Sequence, residues 1–575
     1  MFRMIVASEV GLRRGAPLMF SKQGDCQVSR ISKNKGVSDV FDFVIVGSGP
    51  AGCVLANRLT ADGAATVCIL EAGLSEKHPY ISIPAGFVKT LYGQKYSWPF
   101  TTEPGAGVKN RSISIPQGKV VGGSGSINGL AYSRGQHEDF DDWKALGNSG
   151  WGYEDVLPYF QRSERRIGAG CDVYRGRDGE MPITNPDWTS RLCEEFIKGV
   201  VQYGIPENDD YNGATQDGVG YFQRYIHKGQ RVNAATSLLR PALARGNAEL
   251  RTNAQATAIV FEGSKAVGVR YTRDGVEKTV LARREVLVCA GTINSPKLLQ
   301  LSGIGPGALL QSCGVDVVQD VCGVGENLQD HYTVRIAAKV KNAKSMNESS
   351  RGWRLGLEIL RWSLGQSSIL ALSPSLVHVF WKSRPEYARG DIQVLFTPAS
   401  YKEGKNYVLD DFPGMSCGAR QQRPESRGYV RIQSSNAAQN PAVQPNYLSA
   451  AKDQEVIVAA LKIARQLMRT TAMAPFFDAE TLPGSATRTD EEWLDFARRR
   501  GSTGYHLVGS CRMGPALDAA AVVNSELKVR GVHGLRVIDA SVMPTLPSAN
   551  TVAATMMIAE KAADMILNRA ASYRT

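Results

Sequence analysis

The chain has 575 residues, of which 43% are hydrophobic and 21% charged, and it contains 58 glycines. This length exceeds the usual domain of about 50 to 250 residues, and the composition is that of a globular protein, so we expect at least two folded domains. Basic residues exceed acidic ones by 12, but no long basic run is accompanied by aromatic residues, so we expect no nucleic-acid partner.

No stretch approaches the roughly 20 uninterrupted apolar residues of a membrane-spanning helix, although the basic surface is compatible with peripheral contact with an anionic membrane. Residues 1–40 are predicted to be a flexible extension. An organelle-targeting segment and a start site at Met19 are the alternatives. The ten cysteines form no C-x-x-C pair and no His/Cys cluster, which predicts reduced thiols, no metal site and a cytoplasmic protein.

The first clear element is a near-continuous apolar run at residues 41–46, which is typical of a strand buried on both faces of a parallel sheet. Apolar positions at helical spacing start at Ala51, and Asp62-Gly63 ends the predicted helix before a second apolar run at 66–70. These three elements form a βαβ unit.

A glycine-rich turn joins the first strand to its helix and matches G-x-G-x-x-G; it consists of Gly47, Ser48, Gly49, Pro50, Ala51 and Gly52. In this pattern the first glycine permits a tight turn, the second lets a pyrophosphate approach the backbone, and the third lets helix and strand pack closely. Glu71 follows the second strand, where a carboxylate can accept hydrogen bonds from an adenosine ribose. The pattern predicts dinucleotide binding but does not distinguish NAD from FAD.

Further apolar strands are predicted at 285–290, followed by a helix that begins near Ser295-Pro296, and at 535–538. Strands so far apart in the chain indicate one sheet assembled from distant segments. The region at about 336–500 has mixed short elements and no phosphate-binding turn, so we expect it to form a second domain that faces the substrate.

Two long stretches, residues 118–128 and 291–305, resemble the two signatures of the glucose-methanol-choline (GMC) oxidoreductase family. The resemblance continues at 323–331, 423–428 and 445–448 and covers about residues 41–570. It is strongest to the bacterial alcohol and choline dehydrogenase branch. It implies an α/β fold, with a Rossmann-type FAD-binding domain (41–165, 215–335 and 500–575) and a smaller α+β substrate-binding domain with a mainly antiparallel sheet (166–214 and 336–499).

The resemblance implies that FAD is the cofactor. Besides the glycine turn and Glu71, it places these residues along FAD: Ala72, Gly122, Gly123, Ser124, Asn128, Ala256, Asp539 and Ala540. Glycines near 122–125 have a physical reason to be there, because a side chain would hold the backbone away from the flavin and its phosphates.

The active-site histidine of the family corresponds to His506, and Asn550 corresponds to the second active-site residue. Imidazole, with an ordinary pKa of about 6.5, can accept the hydroxyl proton of an alcohol while flavin N5 accepts the hydride. Apolar positions after Asn550 predict a helix whose N-terminal amides would stabilise charge on the reduced ring. Leu507 replaces the proline that commonly follows this histidine, which leaves the placement of the His506 ring in question.

These observations predict oxidation of a primary alcohol to its aldehyde, with a quinone, a dye-like carrier or O2 as the electron acceptor. A flavin-bound lyase, an alcohol oxidase and a non-enzymatic flavin-binding protein are the alternatives. A light-driven decarboxylase is disfavoured because Gln422 stands where that relative has a cysteine. We expect FAD to be held without a covalent bond, because Ile127 occupies the position of the histidine that tethers flavin in some members, and His137 lies too far along the chain to replace it.

Overall fold

The structure is a computed structural model and describes residues 39–405 and 407–568. Nearly all of the predicted flexible extension, Met19 and Cys26 lie outside the described residues. The first strand starts at Val40, one residue before the predicted boundary. The nine cysteines within the described residues are all free, and six of them are buried.

A seven-stranded sheet, here called the first sheet, is assembled from distant segments as predicted. Its strands run in the order Ala248–Arg251, Val67–Leu70, Val40–Val46, Val276–Val288, Lys265–Arg273 and Ala254–Glu262, and Leu535–Val537 pairs with Val276–Val288. The four pairs that join Val40–Val46, Val67–Leu70, Val276–Val288, Ala248–Arg251 and Leu535–Val537 are parallel, whereas the other strands form an antiparallel meander.

The register of the parallel strands brings their carboxyl ends to one edge of the first sheet. Val46 is paired with both Leu70 and Val288, and Val288 with Val537. The glycine turn, Glu71 and Asp539 therefore leave the sheet at the same edge, which is where ligands bind in open parallel sheets.

A second seven-stranded sheet is antiparallel in every pair. Its order is Phe477–Leu482, Tyr332–Val340, Gly414–Gln421, Ile392–Thr397, Val377–Trp381 and Gly218–Tyr221, and Ser502–Thr503 pairs with Tyr332–Val340. Two of these strands, Gly218–Tyr221 and Ser502–Thr503, come from segments that we assigned to the FAD-binding domain, although both pair within the second sheet. The domain boundaries otherwise remain predictions.

Helices cover both sheets. The longer ones are Pro50–Leu59, His137–Ala145, Tyr153–Ser163, Arg191–Gln202, Gly291–Leu301, Gly352–Ser363, Ala451–Leu467, Asp490–Arg500 and Thr551–Leu567; shorter ones are Pro79–Ser82, Phe87–Thr90, Arg240–Ala244, Gly307–Ser312 and Met346–Ser349. The helix predicted after Asn550 is confirmed as Thr551–Leu567. Among the residues described, none of the helices combines the length and apolar character that crossing a membrane requires.

The start of the helix predicted near Ser295-Pro296 was wrong, because the helix begins four residues earlier, at Gly291. Pro296 lies inside it and has no N–H to donate to the carbonyl of Thr292. The Ser510 hydroxyl donates to that carbonyl instead, at 2.5 Å. The helix therefore tolerates an internal proline because a neighbouring loop satisfies the freed acceptor.

The helix Gly352–Ser363 is unusual because its apolar stripe faces solvent. Trp353, Leu357, Leu360 and the following Leu364 follow helical spacing and are 73%, 44%, 53% and 65% exposed, whereas Glu358 is buried. The sequence analysis did not identify this helix. An exposed apolar stripe of this kind marks an interaction surface.

Candidate functional site

One cavity of about 730 Å³ lies between the carboxyl edge of the first sheet and one face of the second sheet. Most of the predicted site residues line it: Gly47, Gly49, Pro50, Ala51, Glu71, Ala72, Gly123, Ser124, Asn128, Ala256, His506, Asp539, Ala540 and Asn550. The other predicted residues do not line the cavity themselves: Ser48, Gly52 and Gly122. The structure therefore brings together residues as far apart in the chain as Gly47 and Asn550.

The three glycines of the turn have the distinct geometries that the motif requires. Gly47 has φ of 101°, and a Cβ there would lie 2.4 Å from the carbonyl oxygen of Cys289; a Cβ on Gly52 would lie 2.0 Å from the carbonyl oxygen of Gly47. A Cβ on Gly49 would meet no atom within 4 Å, because it would point into open space. The turn is thus packed tightly on two sides and is open at Gly49, where a pyrophosphate has access.

Glu71 is buried, and protein donors already hold its carboxylate. One oxygen accepts hydrogen bonds from the backbone N–H and the hydroxyl of Ser48, at 3.0 and 2.6 Å, and the other accepts one from the N–H of Gly73 at 2.8 Å. Burial raises the pKa of Glu71, and these hydrogen bonds oppose the rise. The oxygen bound to Gly73 accepts only this one hydrogen bond from a described residue, so a ribose hydroxyl can donate to it without displacing the other partners.

The first signature loop packs directly on the glycine turn. The N–H of Gly122 donates to the carbonyl of Ser48 at 2.8 Å, and a Cβ on Gly123 would lie 2.8 Å from Cα of Gly49. Asn128 farther along this loop is held by Arg231, whose guanidinium donates to its side-chain and backbone oxygens at 2.7 and 2.9 Å. Arg231 was not predicted, because nothing in the local pattern connects it to a loop a hundred residues earlier.

Asp539 fixes the start of the helix Gly291–Leu301. Its carboxylate accepts hydrogen bonds from the N–H of Gly291 at 2.9 Å, the hydroxyl of Ser295 at 2.5 Å and the N–H of Ser541 at 2.8 Å. Asp539 thereby connects the second signature to the C-terminal segment at the same edge of the first sheet.

These features fit an extended dinucleotide. The open position at Gly49 lies at the N-terminus of the helix Pro50–Leu59, where backbone N–H groups favour phosphate, and Gly123, Ser124 and His506 line the same cavity. The residues present therefore suit FAD.

His506 and Asn550 meet at the cavity wall. Nδ2 of Asn550 lies 2.9 Å from Nε2 of His506. The predicted uncertainty from Leu507 is offset by other contacts: the N–H of His506 donates to Asp330 at 2.7 Å, and the carbonyl of Leu507 accepts the hydroxyl of Thr292 at 2.7 Å. Neighbouring segments therefore place the histidine without the local proline.

A second buried histidine determines the tautomer of the first. Nε2 of His331 lies 2.7 Å from the carbonyl oxygen of Gln422, which only accepts, so Nε2 of His331 carries its proton. Burial lowers the pKa of His331 well below its usual range, so its Nδ1 is a free acceptor. This Nδ1 lies 3.0 Å from Nδ1 of His506 and accepts a hydrogen bond from its N–H. His506 is left with an unprotonated Nε2 toward the cavity.

The charge state of His506 agrees with this assignment. Burial, together with the positive charge of Arg420 and the neighbouring His331, lowers the pKa of His506 well below its usual range, so the ring is neutral at physiological pH. Nη1 of Arg420 is 3.1 Å from Nδ1 of His506. Because His506 Nδ1–H donates to His331, Nη1 of Arg420 cannot also donate to this nitrogen, and its positive charge beside the ring disfavours protonation of His506.

Asp330 is a buried carboxylate that holds three segments of the chain together next to His506. It accepts the hydroxyl groups of Thr503 at 2.5 Å and Tyr447 at 2.6 Å, in addition to the N–H of His506. Burial raises its pKa to about 6. Asp330 and His331 lie in the stretch 323–331, which we matched to the family without assigning them a role. The family resemblance could therefore have identified these two residues. Arg420 lies outside the matched stretches, so the sequence offered no reason to select it.

Comparison with known proteins identifies the family. Family models described as GMC oxidoreductase match residues 41–333 and 424–559. The chain belongs to the GMC oxidoreductase family. It is 37% identical over 533 residues, 92% of its length, to an oxygen-dependent choline dehydrogenase of Photobacterium profundum, of which 94% is covered.

Two solved structures extend this finding. The fold matches pyridoxine 4-oxidase from Mesorbium loti with a TM-score of 0.83 and 30% identity, covering 91% of this chain and 98% of that one. It matches a FAD-dependent oxidoreductase from Chaetomium thermophilum with a TM-score of 0.84 and 27% identity, covering 92% and 99%. The predicted fold class and family are therefore confirmed, and the protein is a GMC oxidoreductase that acts on CH–OH donors.

Proposed function

We propose that this GMC oxidoreductase oxidises a primary alcohol to its aldehyde with FAD, and that His506 removes the hydroxyl proton. The observation that carries the proposal is the chain of contacts from the Gln422 carbonyl through His331 to His506, since it leaves Nε2 of His506 unprotonated at the cavity wall. A buried neutral imidazole with a fixed tautomer is suited to act as a general base.

Asn550 helps to bind the alcohol. In the absence of substrate, its amide donates to Nε2 of His506, and its Oδ1 finds no partner among the described residues. An alcohol whose hydroxyl donates to Nε2 displaces this amide, which then donates to the alcohol oxygen. As the proton moves to Nε2, the amide remains hydrogen-bonded to the developing alkoxide without adding a charge.

Bound FAD supplies the acceptor for the hydride that leaves the alcohol carbon. The reaction balances, because the hydroxyl proton moves to His506, the hydride carries one hydrogen and two electrons away from the alcohol carbon, and the aldehyde remains as the product. The first helical residues of Thr551–Leu567, Thr551 and Val552, line the cavity, so the positive end of the helix dipole favours negative charge there.

Anaerobic mixing with primary alcohols tests this function. We expect loss of the flavin absorbance and formation of aldehyde in equal amounts. Cleavage of an alcohol into two products without flavin bleaching would favour a lyase, and the absence of turnover with every alcohol would favour a non-enzymatic protein. Reoxidation by O2, a quinone and a dye then separates oxidase from dehydrogenase behaviour.

FAD is proposed to bind without a covalent link. Ile127 lines the cavity and offers no nucleophilic atom, and of the seven histidines, all of them among the described residues, His506 alone lines the cavity. His137 instead stacks on Tyr153 at 3.6 Å. After acid precipitation we expect the yellow colour in the supernatant; colour in the pellet would contradict this proposal.

Peripheral contact with an anionic membrane is proposed to involve the helix Gly352–Ser363. Its exposed Trp353 and Leu360 are suited to the headgroup region, and Arg354 and Arg361 lie beside them with 42% and 56% of their side chains exposed. Such contact would place the enzyme near a quinone acceptor. Leu360→Ser should reduce co-sedimentation with anionic vesicles; equal binding of the variant would contradict this role.

A further inference from the structure

The exposed apolar side chains among the described residues are concentrated in three short segments. In that part of the chain 17 large hydrophobic side chains are exposed, and eight of them belong to residues 79–92, 352–364 and 401–409. These eight are Tyr80, Val88, Trp353, Leu357, Ile359, Leu360, Leu364 and Val408. Single exposed apolar residues are ordinary, whereas a concentration of them marks an interaction surface.

The cavity opens to solvent at the place where its lining residues are exposed. These exposed lining residues are Ser112, Ser114, Glu403, Gly404, Lys405, Arg499 and Arg500. Glu403 forms an ion pair with Arg500. Arg111 donates to the carbonyl of Gly501 at 2.7 Å, which brings the two serines to the same place. Together they border an opening, here called the mouth, which includes the segment 401–409.

The first of the three segments meets the last one beside this mouth. The ring of Phe87 packs edge-on against that of Tyr407, at 5.1 Å between centroids, and both rings line the cavity. Val88 and Val408 follow these two residues in the chain and are 40% and 44% exposed. Each segment therefore has an aromatic ring in the cavity wall and an apolar side chain on the surface beside it.

The N-terminal end of the helix Gly352–Ser363 is attached to the mouth. Arg351, the residue before the helix, donates to the carbonyl oxygens of Leu409 and Asp410 at 2.7 and 2.5 Å. Leu409 forms a β-bridge with Tyr401, which lines the cavity. The helix therefore starts directly beside the loop that borders the mouth.

The C-terminal end of this helix is attached to the cavity wall. The indole N–H of Trp362 donates to the carbonyl of Gly229 at 2.7 Å. Two residues after Gly229, Arg231 holds the cavity-lining Asn128 by the hydrogen bonds given above. The exposed apolar stripe of the helix is therefore fixed beside the cavity at both ends.

Basic residues accompany the apolar side chains of this surface. The three segments contain two acids and five basic residues, and the basic ones are Lys89, Arg354, Arg361, Lys402 and Lys405. Of the acids, Glu358 is buried and Glu403 is paired with Arg500. Apolar side chains flanked by basic residues, with no acid left free, complement the acyl chains and headgroups of an anionic bilayer.

The cavity wall between the mouth and the proposed base is aromatic. Tyr505, which precedes His506 in the chain, lines the cavity, and its hydroxyl lies 2.5 Å from that of Tyr92. The ring of Tyr92 lies 6.1 Å from that of Tyr407 at the mouth. A continuous row of aromatic side chains therefore leads from the mouth to His506, and its ring faces suit an alkyl chain.

We propose that this surface docks on an anionic membrane around the mouth, and that the alcohol enters the active site directly from the bilayer. The substrate class is then a primary alcohol with a long alkyl chain, since each added methylene favours transfer into lipid by about 4-fold. The proposal rests on the proposed alcohol oxidation and extends the membrane contact described above, because it makes the bilayer the source of the substrate.

Vesicles change the rate in opposite directions for the two routes of entry. Anaerobic flavin reduction by 1-decanol and by 1-butanol is measured at fixed total alcohol, with and without equimolar phosphatidylglycerol and phosphatidylcholine vesicles. We expect vesicles to raise the rate with decanol, because the lipid concentrates it where the enzyme docks, and to leave the rate with butanol unchanged. If the alcohol entered from water, vesicles would remove decanol from solution and lower the rate, which would overturn the proposal.

A double variant, Trp353→Ser with Leu360→Ser, assigns the effect to the helix. It should bind these vesicles about 100-fold more weakly, since two large apolar side chains no longer enter the lipid. Vesicles should then slow its reduction by decanol, while its rate with butanol should equal that of the parent. Leu517→Ser is the matched control, because Leu517 is 99% exposed and lies outside the three segments. Stimulation by vesicles that persisted in the double variant would overturn the proposal.

Hydrogen–deuterium exchange tests the docking surface without turnover. Vesicles should slow amide exchange of the holoenzyme at 352–364 and 401–409 together and leave exchange around Leu517 unchanged. If no alcohol reduces the flavin but these two segments are protected, the proposed oxidation fails and the membrane surface stands. Protection confined to other parts of the chain would overturn the docking surface.

Discussion

The two walls of the cavity differ in how completely their polar groups are paired. At the carboxyl edge of the first sheet, Glu71 and Asp539 each accept three hydrogen bonds from protein donors. On the second sheet, by contrast, Arg420 and Gln393 retain buried polar atoms that have no hydrogen-bond partner among the described residues. The acids of the cofactor wall are therefore held by protein donors, whereas these two side chains of the second sheet are only partly paired.

This difference reflects what each wall must do. A cofactor that stays bound through many turnovers is served by a rigid, preorganised cradle, and internal hydrogen bonds supply that rigidity. A substrate, by contrast, must enter and leave at every turnover.

The largest expected effect concerns the junction of the two walls. His506→Ala should keep FAD bound, because His506 contributes no contact to the glycine turn, but should slow flavin reduction by alcohol by about 10² to 10⁴-fold through loss of the general base. Stopped-flow absorbance of the flavin measures this rate. His533→Ala, which removes an exposed histidine, is the control.

If the flavin of His506→Ala were reduced at the parent rate, His506 would not be the general base. Asn550→Ala should lose less, because water can replace the amide donor at the alcohol oxygen. Loss of FAD from His506→Ala would show instead that FAD binding depends on His506 as well as on the glycine turn.

A second effect tests the cofactor wall alone. Gly49 has φ of −66°, which alanine adopts readily, and the added Cβ would meet no protein atom within 4 Å. Gly49→Ala should therefore fold normally but weaken FAD binding by about 100-fold, since the methyl group occupies the space needed by the pyrophosphate. Thermal unfolding of the apoprotein and fluorescence titration with FAD measure the two properties.

Gly356→Ala provides the matched control. A Cβ at Gly356 also meets no atom within 4 Å, but this residue lies on the helix Gly352–Ser363 and does not line the cavity. It should leave FAD affinity unchanged. If Gly49→Ala bound FAD as tightly as this control, the open space at Gly49 would not be the phosphate site.

The contrast between the walls also explains how much could be predicted from the sequence. The cofactor wall is built from contiguous motifs at strand ends, so the strand, turn and helix around Gly47 were predicted nearly to the residue. Ala256 and Asp539 required the family resemblance, because their distance in the chain hides their proximity. The helix start at Gly291 was missed, since local rules place proline at a helix start and take no account of Ser510.

The substrate wall was beyond local reasoning. Arg420 reaches His506 only because strands from three separate segments pair in one register, and a single arginine on a strand gives no local signal of its neighbours. The role of His331 likewise depends on a backbone carbonyl 91 residues away. Non-local pairing of this kind determines the chemistry, whereas short patterns determine the scaffold.

The smallest expected effect is on the pH profile, and it separates two titrating groups at the junction of the walls. The active base is the neutral His506, and its lowered pKa predicts that protonation of His506 itself does not slow flavin reduction where an ordinary histidine, with a pKa of about 6.5, would protonate. Asp330 protonates first, as the pH falls through about 6, and this weakens its hydrogen bond from the His506 N–H. The parent enzyme should therefore lose a few-fold in rate below about pH 6, as expected for the loss of one hydrogen bond to a charged acceptor.

Asp330→Asn, which retains an acceptor oxygen but does not titrate, should have a lower rate at pH 7 and no decline between pH 7 and 5. An unchanged acid limb in this variant would assign the titration to His506 and contradict the neutral, buried base.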